Sequence, residues 1–322
     1  MKVKVRCSSR LHFGLLSFGI SGIRQFGGVG AMIEHPCVEL EALPSEQGLA
    51  SGFESERVGH VANHALNYLA QQGQQSVSAL AIHVRHSPPA HVGLGSGTQL
   101  GLAVARAVSE LCDKQSVGIN ELARMADRGR RSSVGTHGFF RGGLIVESGT
   151  VEESSIAPLL SRVAIPDAWR VVLAIPTFAQ GISGKREEQA FRNMGPIPIE
   201  TTGKLCRLVM LNLLPSLIES DFRTFSESVY QFNREVGECF SMWQGGPYSS
   251  KQVERAIQYF RSEGVQGVGQ SSWGPTVFGI VETNADADTL RMGFKKLFPE
   301  KAFQVSVSRF CNQGAEVTVV NS

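Results

Sequence analysis

The segment that most restricts the fold of this chain is a glycine-rich stretch, PPAHVGLGSGTQ, at residues 88–99. Before it, within residues 78–86, Leu80, Ile82 and Val84 alternate with Ala81, His83 and Arg85, which predicts a half-buried strand. After it, the apolar residues between Leu100 and Leu111 fall on one face of a helix. A glycine loop in this position directs backbone N–H groups and the positive end of the helix dipole at one point. The sequence therefore predicts an anion site, most often one for phosphate.

Two common phosphate motifs do not describe this loop. It has no Gly-Lys-Ser/Thr, which a Walker A loop requires, and GLGSG lacks the third glycine of a dinucleotide fingerprint. A simple turn before a core helix is the alternative, but further glycine clusters at 135–143 and 264–274 favour binding, because glycine lets backbone approach a ligand closely. The residues predicted to bind phosphate are His91, Gly93, Leu94, Gly95, Ser96, Gly97 and Thr98.

The charge, the cysteine spacing and the lack of long apolar runs exclude several classes of protein. The chain has 322 residues and a net charge of +2, from 31 Lys and Arg against 29 Asp and Glu. Such a balance argues against a nucleic-acid or polybasic membrane binder. The six cysteines lack zinc-site spacing, no run of about 18 apolar residues is present, and the first residues have no signal-peptide core. We therefore expect a cytoplasmic protein with free thiols that binds neither nucleic acid nor membranes.

Hydrophobic periodicity predicts an α+β fold with strands and helices in both halves. Strand patterns occur at residues 3–7, 29–41, 78–86, 144–149, 169–176, 277–282 and 302–308, with 316–320 as an extra candidate. Helix patterns occur at 57–72, 100–111, 119–128, 201–219, 221–235, 250–263 and 286–297. The segment up to residue 143 after the 119–128 helix is expected to be a loop. The weakly periodic stretch 152–168 suggests a boundary between an N-terminal domain, 1–160, and a C-terminal domain, 161–322.

Two glycine motifs resemble those of the GHMP kinase superfamily. Pro89 to Thr98 reads P-A-H-V-G-L-G-S-G-T, which is similar to the superfamily loop P-x-x-x-G-L-G-S-S-A. Gly269 to Thr276 reads G-Q-S-S-W-G-P-T and is similar to its C-terminal glycine motif. The resemblance implies a two-domain fold, with a ribosomal protein S5-like N-terminal domain and a ferredoxin-like C-terminal domain. It also implies that phosphate binds in the cleft between the domains.

One segment departs from the kinases of this superfamily. They usually carry an Asp in a segment like S-G-x-D before a Gly-Gly pair, whereas residues 133–137 read S-V-G-T-H, with no carboxylate. His137 is a candidate base in its place, because imidazole titrates near neutral pH. An ATP-dependent small-molecule kinase therefore stays open as an alternative, as does a non-catalytic nucleotide- or phosphate-binding module.

The sequence is more similar to a non-kinase branch, the β-ribofuranosylaminobenzene 5′-phosphate synthase family. The resemblance is carried by RLHFGLL (10–16), RQFGGVGAMIE (24–34), GLGSGTQLGLAVA (93–105), the glycine segment that ends in RGGLIVESG (141–149) and the strand WRVVLAIP (169–176). It implies a role in methanopterin biosynthesis. The implied reaction joins phosphoribosyl pyrophosphate to 4-hydroxybenzoate or 4-aminobenzoate, releases pyrophosphate and carbon dioxide, and forms a C-riboside. Mg²⁺ and a homodimer are also implied, whereas ATP belongs only to the kinase alternative. The chain departs from the family at Ser17, where archaeal members often have Asp.

The chemistry of that reaction suggests roles for particular residues. Guanidinium groups bind phosphate and carboxylate oxygens in pairs, so Arg24 is expected to clamp the substrate, with His12 as a polar contact beside it and His137 as a third catalytic candidate. Glu34 and Glu147 are candidate magnesium ligands, but strand-end carboxylates are the simpler interpretation and no metal ligand is assigned. The predicted substrate-binding residues are Arg10, Gly27, Gly28, Arg130, Arg131, Ser133, Gly135, Thr136, Arg141, Ser272, Trp273 and Gly274.

Overall fold

The computed structural model describes residues 1–74, 77–114, 117–129, 131–151, 156–178, 181, 184–193, 195–299 and 301–320. These residues form two β-sheets with helices packed against them. The combination confirms the mixed helix and strand content expected from the sequence. Arg130 lies outside the described residues, so its predicted contact with substrate stays a prediction.

The first sheet contains most of the N-terminal half and the end of the described chain. Its strands are β1 (Lys2–Leu15), β2 (Gly28–Ser45), β3 (Leu49–Gly52), β4 (Ala79–His86), β5 (Leu144–Glu147), β6 (Leu159–Val163) and β11 (Glu316–Val320). Their order is β11-β1-β2-β4-β3, and β5 pairs with both β2 and β6. All these pairs are antiparallel except β3 with β4. Strand β1 therefore lies between the last strand and β2.

Four helices accompany this sheet: α1 (Ser55–Gln71), α2 (Ser96–Leu111), α3 (Ile119–Met125) and α4 (Val134–Arg141). Helix α2 is the central one, since Val104 and Val108 are fully buried in the same apolar cluster as Val5 and Leu40 of the sheet. Burying such a side chain stabilises the fold by roughly 1.5–3 kcal/mol. The cluster fixes the direction of α2 and so the position of the glycine loop at its N-terminus.

The second sheet contains β7 (Arg170–Pro176), β8 (Gly267–Gln270), β9 (Val277–Val281) and β10 (Phe303–Arg309), in the antiparallel order β10-β7-β9-β8. Its helices are α5 (Gly184–Asn193), α6 (Ile199–Leu208), α7 (Leu214–Ile218), α8 (Phe222–Cys239), α9 (Ser241–Gln244), α10 (Lys251–Ser262) and α11 (Asn284–Leu297), with a π-helical turn at Val209–Leu213. None of the helices in the described ranges is long and apolar enough to cross a membrane.

The two halves are joined through the end of β1. Phe13 of β1 and Phe278 of β9 are both buried, and their ring centroids are 5.4 Å apart. The side-chain amide of Asn233, on α8, donates to the carbonyls of Phe13 and Gln270, both at 2.8 Å. A Cβ at Gly14 would lie 2.8 Å from Val236 of α8. Residues 10–14 are therefore held between the halves.

Several boundaries differ from the sequence expectation. Strand β1 continues to Leu15 instead of ending at residue 7, and the helix expected at 201–219 is divided by the π-helical turn. The expected loop before residue 143 contains α4, which has low helix propensity because of Gly135 and Gly138. Tertiary packing overrides that propensity: α4 lies so close to β2 that a methyl group at Gly138 would overlap the sulfur of Met32. The proposed boundary at 160/161 falls within β6 and stays a prediction.

Candidate active site

A cavity of about 560 Å³ lies where the two halves of the chain meet. Its walls come from β1, the N-terminal end of α2, α8, the 127–135 segment and the turn between β8 and β9. Both glycine motifs that were singled out in the sequence contribute to these walls. The cavity is therefore the candidate active site.

The two glycine motifs are in direct contact with each other. The Ser271 hydroxyl donates to the carbonyl of Gly93 at 2.7 Å, and the Thr276 N–H donates to the carbonyl of Val92 at 3.2 Å. A methyl group at Gly93 would overlap the carbonyl oxygen of Ser271, and one at Gly274 would overlap the nitrogen of Gly93. Gly93 also has a φ of 92°, in the region that favours glycine. Glycine is thus required where the loops touch.

Among the described residues, helix α2 begins without a side-chain cap, unlike α8 and α10. Asp221 caps α8 and Ser250 caps α10, each by accepting a hydrogen bond from a backbone N–H of the first turn. The residue before α2 is Gly95, with a φ of 69°, and no side chain in the described ranges caps this helix. Backbone donors at a helix N-terminus and the helix dipole both favour an anion. The first turn of α2 borders the cavity through Ser96, Gly97 and Thr98.

Basic side chains surround that turn. Arg10, Arg57, Arg128, Arg131 and His91 all line the cavity. A Cβ at Gly95 would lie 2.8 Å from Nε of Arg10, and one at Gly97 would overlap the guanidinium of Arg57. Nε of Arg128 donates to the Gly97 carbonyl at 3.2 Å. We call this part, made of residues 91–98 with the four arginines, the cationic half of the cavity.

Aromatic rings form the other part of the wall. Trp273 lies 4.9 Å from Phe240 and 5.5 Å from Phe191, measured between ring centroids. Phe191 in turn lies 5.4 Å from Phe26. The guanidinium carbon of Arg131 is 5.5 Å from the centre of the Phe191 ring, so the cationic half meets the aromatic one there. We call Phe26, Phe191, Phe240 and Trp273 the aromatic half.

A chain of three polar side chains leads from the cavity into the protein. Nε2 of His12 is 3.1 Å from the Ser132 hydroxyl, which is 3.1 Å from Oε1 of Glu147. His12 and Ser132 line the cavity, whereas Glu147 is fully buried behind them. Burial raises the pKa of Glu147 to about 7. Burial and the nearby charge of Arg10 hold the pKa of His12 well below its ordinary value.

Most of the sequence-predicted residues are brought together in the cavity wall. The wall includes Arg10, His12, His91, Gly93, Gly95, Ser96, Gly97, Thr98, Arg131, Gly135, Ser272, Trp273 and Gly274. Leu94 is buried within the loop, with 1% of its surface exposed. A Cβ at Gly28 would lie 3.0 Å from Nε2 of His12 and 3.3 Å from both Ser132 and Glu147, and one at Gly27 would lie 3.1 Å from the backbone of Ser148. Both glycines therefore lie beside the cavity wall.

Other predicted residues do not line the cavity. Arg24 is exposed and donates to the Gly149 carbonyl at 3.1 Å. Nε2 of His137 lies 2.7 Å from the Ala157 carbonyl, and the Ser133 hydroxyl accepts from the Ala157 N–H at 2.9 Å. Thr136 is buried, and Arg141 is exposed at the end of α4. Because α4 turns His137 and its neighbours toward the protein, the roles predicted for these residues stay predictions.

Several residues of the cavity wall were not predicted from the sequence. Arg57 opens a helical pattern and there resembles a solvated charge, although its guanidinium lies against Gly97. Phe191 and Phe240 lie in segments without a motif. Ser132 was detectable, because it stands between the predicted Arg131 and Ser133. The family's Asp position is filled by Ser17, whose hydroxyl donates to the Arg24 carbonyl at 2.6 Å, outside the cavity wall.

Known families and structures define the class of this fold. The model of the GHMP kinases N terminal domain matches residues 59–140, and that of the GHMP kinases C terminal domain matches residues 213–300. Homoserine kinase from Cytophaga hutchinsonii has a TM-score of 0.67, with 16% identity over 98% of this chain and 97% of its own. Mevalonate diphosphate decarboxylase from Enterococcus faecalis has a TM-score of 0.68, with 14% identity over 99% of both chains. The fold is that of the GHMP kinases, as expected.

The nearer relationship comes from whole-chain sequence similarity. A β-ribofuranosylphenol 5′-phosphate synthase from Archaeoglobus fulgidus is 32% identical over 98% of this chain and its own full length. The enzyme of the same name from Methanothermobacter thermautotrophicus is 28% identical over 86% of this chain and 88% of its own. The chain belongs to the β-ribofuranosylphenol 5′-phosphate synthase family.

Proposed function

We propose that this protein is a decarboxylating C-riboside synthase. It joins phosphoribosyl pyrophosphate to 4-hydroxybenzoate or 4-aminobenzoate and releases pyrophosphate and carbon dioxide. The observation that carries the proposal is the pairing of a cationic half with an aromatic half in one cavity. Phosphate groups suit the first half and a benzene ring suits the second. The names of the relatives refer to a phenol product, which 4-hydroxybenzoate would give, and support a place in methanopterin biosynthesis.

In this proposal the cationic half holds the phosphates and stabilises the departing pyrophosphate. As the bond from ribose C1 to pyrophosphate breaks, negative charge grows on the leaving group and positive charge on the sugar. Backbone N–H groups at α2 and the guanidinium of Arg10 are fixed in place before the reaction, which is the condition under which donors stabilise such charge best. The remaining lowering of the barrier comes from holding the two substrates together, because no covalent enzyme intermediate is needed.

The aromatic half holds the benzoate ring in the same proposal. The ring carbon that bears the carboxylate attacks ribose C1, and the loss of carbon dioxide then restores aromaticity. Arg131 is suited to the carboxylate, since its guanidinium lies over Phe191 and thus beside the aromatic wall. Trp273 and Phe240 exclude water from this side, which protects the reactive ribose carbon from hydrolysis.

In this proposal, Mg²⁺ would enter the site bound to phosphoribosyl pyrophosphate. The described residues contain no cluster of three or more His, Cys, Asp or Glu able to hold a metal ion. Asp127 is the one carboxylate among the described lining residues. Mg²⁺ usually binds through one or two carboxylates together with substrate phosphates, so Asp127 and the hydroxyls of Ser96 and Thr98 fit an ion carried by the pyrophosphate group. When bound, it would neutralise charge on that leaving group.

The test uses purified protein, Mg²⁺, phosphoribosyl pyrophosphate and carboxyl-labelled 4-hydroxybenzoate or 4-aminobenzoate in separate reactions. Release of labelled carbon dioxide that needs both substrates would establish the synthase and identify the aromatic partner. If neither acid releases it and ATP is converted to ADP with a metabolite pool, the protein is a kinase. If neither reaction occurs but pyrophosphate binds, the cavity serves a binding module.

A further inference from the structure

The side chains of His12, Ser132 and Glu147 form a directional hydrogen-bonded chain. Both carboxylate oxygens of Glu147 accept backbone hydrogen bonds, from the N–H of Ser133 at 3.2 Å and from the N–H of Gly149 at 2.7 Å. The ionised carboxylate has no hydrogen to give, so the Ser132 hydroxyl donates to it. The single hydroxyl hydrogen of Ser132 is thereby committed to Glu147.

The tautomer of His12 follows from this direction. Ser132 Oγ can only accept from the imidazole, so Nε2 of His12 carries the hydrogen. Nδ1 then holds a lone pair, and no hydrogen bond to it is found within the described part of the chain. His12 borders the cavity, and its Nε2 is connected through Ser132 to the buried carboxylate of Glu147.

We propose that His12, Ser132 and Glu147 form a proton relay that takes the proton from the hydroxyl or amino group of the aromatic substrate and holds it on Glu147. The proposal rests on the proposed function and deepens it. In it His12 is the catalytic residue that meets the substrate. Ser132 and Glu147 are positioning residues that act through it.

The proton and electron changes balance in this relay. The substrate hydroxyl gives its proton to Nδ1 of His12, Nε2 gives its own proton to Ser132, and the Ser132 hydroxyl proton moves to Glu147. The electron pair left on the substrate oxygen flows into the ring, the ring carbon bonds to ribose C1, and pyrophosphate leaves with the electrons of its bond. Loss of carbon dioxide returns an electron pair to the ring and then to the oxygen, which takes the proton back from Nδ1. At the same time Ser132 gives a proton to Nε2 and Glu147 returns its proton to Ser132, so the starting state of the relay is restored.

The surroundings of His12 favour passing the proton on to Glu147 over leaving a positive charge on the imidazole. Burial disfavours a charged His12, so a relay that leaves the ring neutral avoids this cost. The strand neighbours of Glu147 are Gly28 on β2 and Leu159 on β6, neither of which titrates. The charged or titratable groups nearby on packed elements are Arg10 on β1, His137 and Arg141 on α4, Arg162 on β6, and Arg24 through its bond to Gly149.

Gly28 gives independent geometric support. A Cβ at this glycine would lie within 3.0–3.3 Å of all three groups: Nε2 of His12, Ser132 Oγ and Oε1 of Glu147. Contacts this short are tighter than ordinary van der Waals packing, so the absence of a side chain makes room for the relay.

The first test compares Glu147→Gln with the wild type by steady-state kinetics between pH 5.5 and 8.5. Gln keeps the shape of the side chain but cannot take up the proton. We expect kcat to fall about 10²- to 10⁴-fold, the range of general-base catalysis, with the KM for phosphoribosyl pyrophosphate unchanged. The wild-type kcat should decrease as the pH falls below about 7, where Glu147 becomes protonated, and this acid limb should disappear in the variant.

Ser132 provides a matched pair of variants. Ser132→Ala interrupts the relay and should lower kcat as Glu147→Gln does, whereas Ser132→Thr keeps the hydroxyl and should restore most of it. Glu110→Gln is the control for removal of a buried carboxylate, because Glu110 pairs with Arg106 near the far end of α2. It should leave kcat and its pH dependence unchanged. If Glu147→Gln or Ser132→Ala retains the wild-type kcat and acid limb, the relay is wrong although the synthase stands.

A second measurement does not depend on activity. Ring ¹⁵N spectra of the eight histidines, with His12 assigned from the His12→Asn variant, report which nitrogen carries hydrogen. We expect Nε2–H above pH 8 and a shift to Nδ1–H below pH 6, when protonated Glu147 reverses the direction of the Ser132 hydroxyl. The Glu147→Gln variant should hold Nε2–H throughout. A wild-type tautomer that does not follow this change overturns the relay, and a wild type that makes no C-riboside overturns the proposed function instead.

Discussion

The two halves of the cavity are built in opposite ways. The cationic half comes from short glycine motifs whose backbone lies against other backbone, as at Gly93 and Ser271. The aromatic half comes from side chains far apart in the sequence, from Phe26 to Trp273. The first half is therefore intolerant of any added atom, whereas the second is held by ring packing that adjusts to small changes. This difference predicts a large effect of a methyl group in one half and a small effect of a lost ring in the other.

The largest effect is expected from Gly93→Ala. The new methyl group would overlap the Ser271 carbonyl, and φ of 92° is costly for alanine. Together these should lower the free energy of unfolding by about 2–5 kcal/mol and kcat/KM by at least about 100-fold, because the two glycine motifs must separate. Denaturant unfolding and the carbon dioxide assay measure the two quantities.

Gly22→Ala is the matched control for this substitution. Gly22 has a φ of 85°, but no atom lies within 4 Å of the position of its Cβ. It should therefore show only the conformational cost, about 1–2 kcal/mol, with full activity. Equal losses in the two variants would mean that backbone conformation, and not the contact between the motifs, makes the cationic half rigid.

The glycine loop of the cationic half was predictable from sequence for this same reason, whereas Arg57 and Arg128 were not predicted. A loop that needs glycine at fixed positions, such as Gly93 and Gly95, leaves a contiguous signature. The aromatic half leaves none: Trp273 was detected because it stands inside a glycine motif, while Phe191 and Phe240 were missed because three-dimensional packing alone brings them together. Helix α4 was missed because Gly135 and Gly138 lower its helix propensity, and the sequence does not show that Gly138 packs against Met32.

The next prediction concerns Glu147, beneath the wall that His12 and Ser132 form. Its pKa is raised from an ordinary 4.5 to about 7, so the unfolded chain loses this proton at a lower pH than the folded one. The contribution of Glu147 to the free energy of unfolding is fully present below pH 4.5 and is lost as the pH rises through about 7. The loss amounts to about 3 kcal/mol. As the pH rises from 4.5 to 8, the free energy of unfolding of the wild type should therefore fall by about 3 kcal/mol relative to that of Glu147→Gln.

Glu41 supplies the contrasting control in the same sheet. Hydrogen bonds from Lys2 and Arg85 lower the pKa of Glu41 to about 2. Its contribution is thus present above pH 4.5 and lost only as the pH falls toward 2, so Glu41→Gln should differ from the wild type by a constant amount between pH 4.5 and 8. Urea unfolding at several pH values measures both. A constant difference for Glu147→Gln as well would contradict a raised pKa.

A smaller effect is expected from Arg128→Gln in the cationic half. Arg128 donates to the carbonyl of Gly97 and lines the cavity beside the first turn of α2. Loss of a charge-assisted contact costs about 1.5–3 kcal/mol, so the KM for phosphoribosyl pyrophosphate should rise about 10- to 100-fold. The KM for the benzoate should change little. Arg309→Gln, an exposed site on β10, is the control and should change neither.

The smallest effect is expected from Phe191→Leu in the aromatic half. This variant removes ring contacts with Phe26 and Trp273, each worth about 0.5–1.5 kcal/mol beyond buried area. The KM for the benzoate should rise about 2- to 10-fold and that for phosphoribosyl pyrophosphate should stay constant. Phe178→Leu is the control, since Phe178 packs on Phe303 outside the cavity. A larger effect on phosphoribosyl pyrophosphate would mean that the two halves do not bind separate substrates.

The pairing of β1 with β11 has a consequence for synthesis of the protein. Lys2 lies opposite Val320, and Arg6 opposite Glu316. The strand that carries Arg10 and His12 therefore keeps one open edge until residues 316–320 have left the ribosome. Contacts between such distant segments form late, because the entropy cost of closing a long loop comes before the contacts can stabilise the fold. Until those residues emerge, the nascent chain exposes this edge of its site-bearing strand, and unpaired strand edges are prone to pair wrongly.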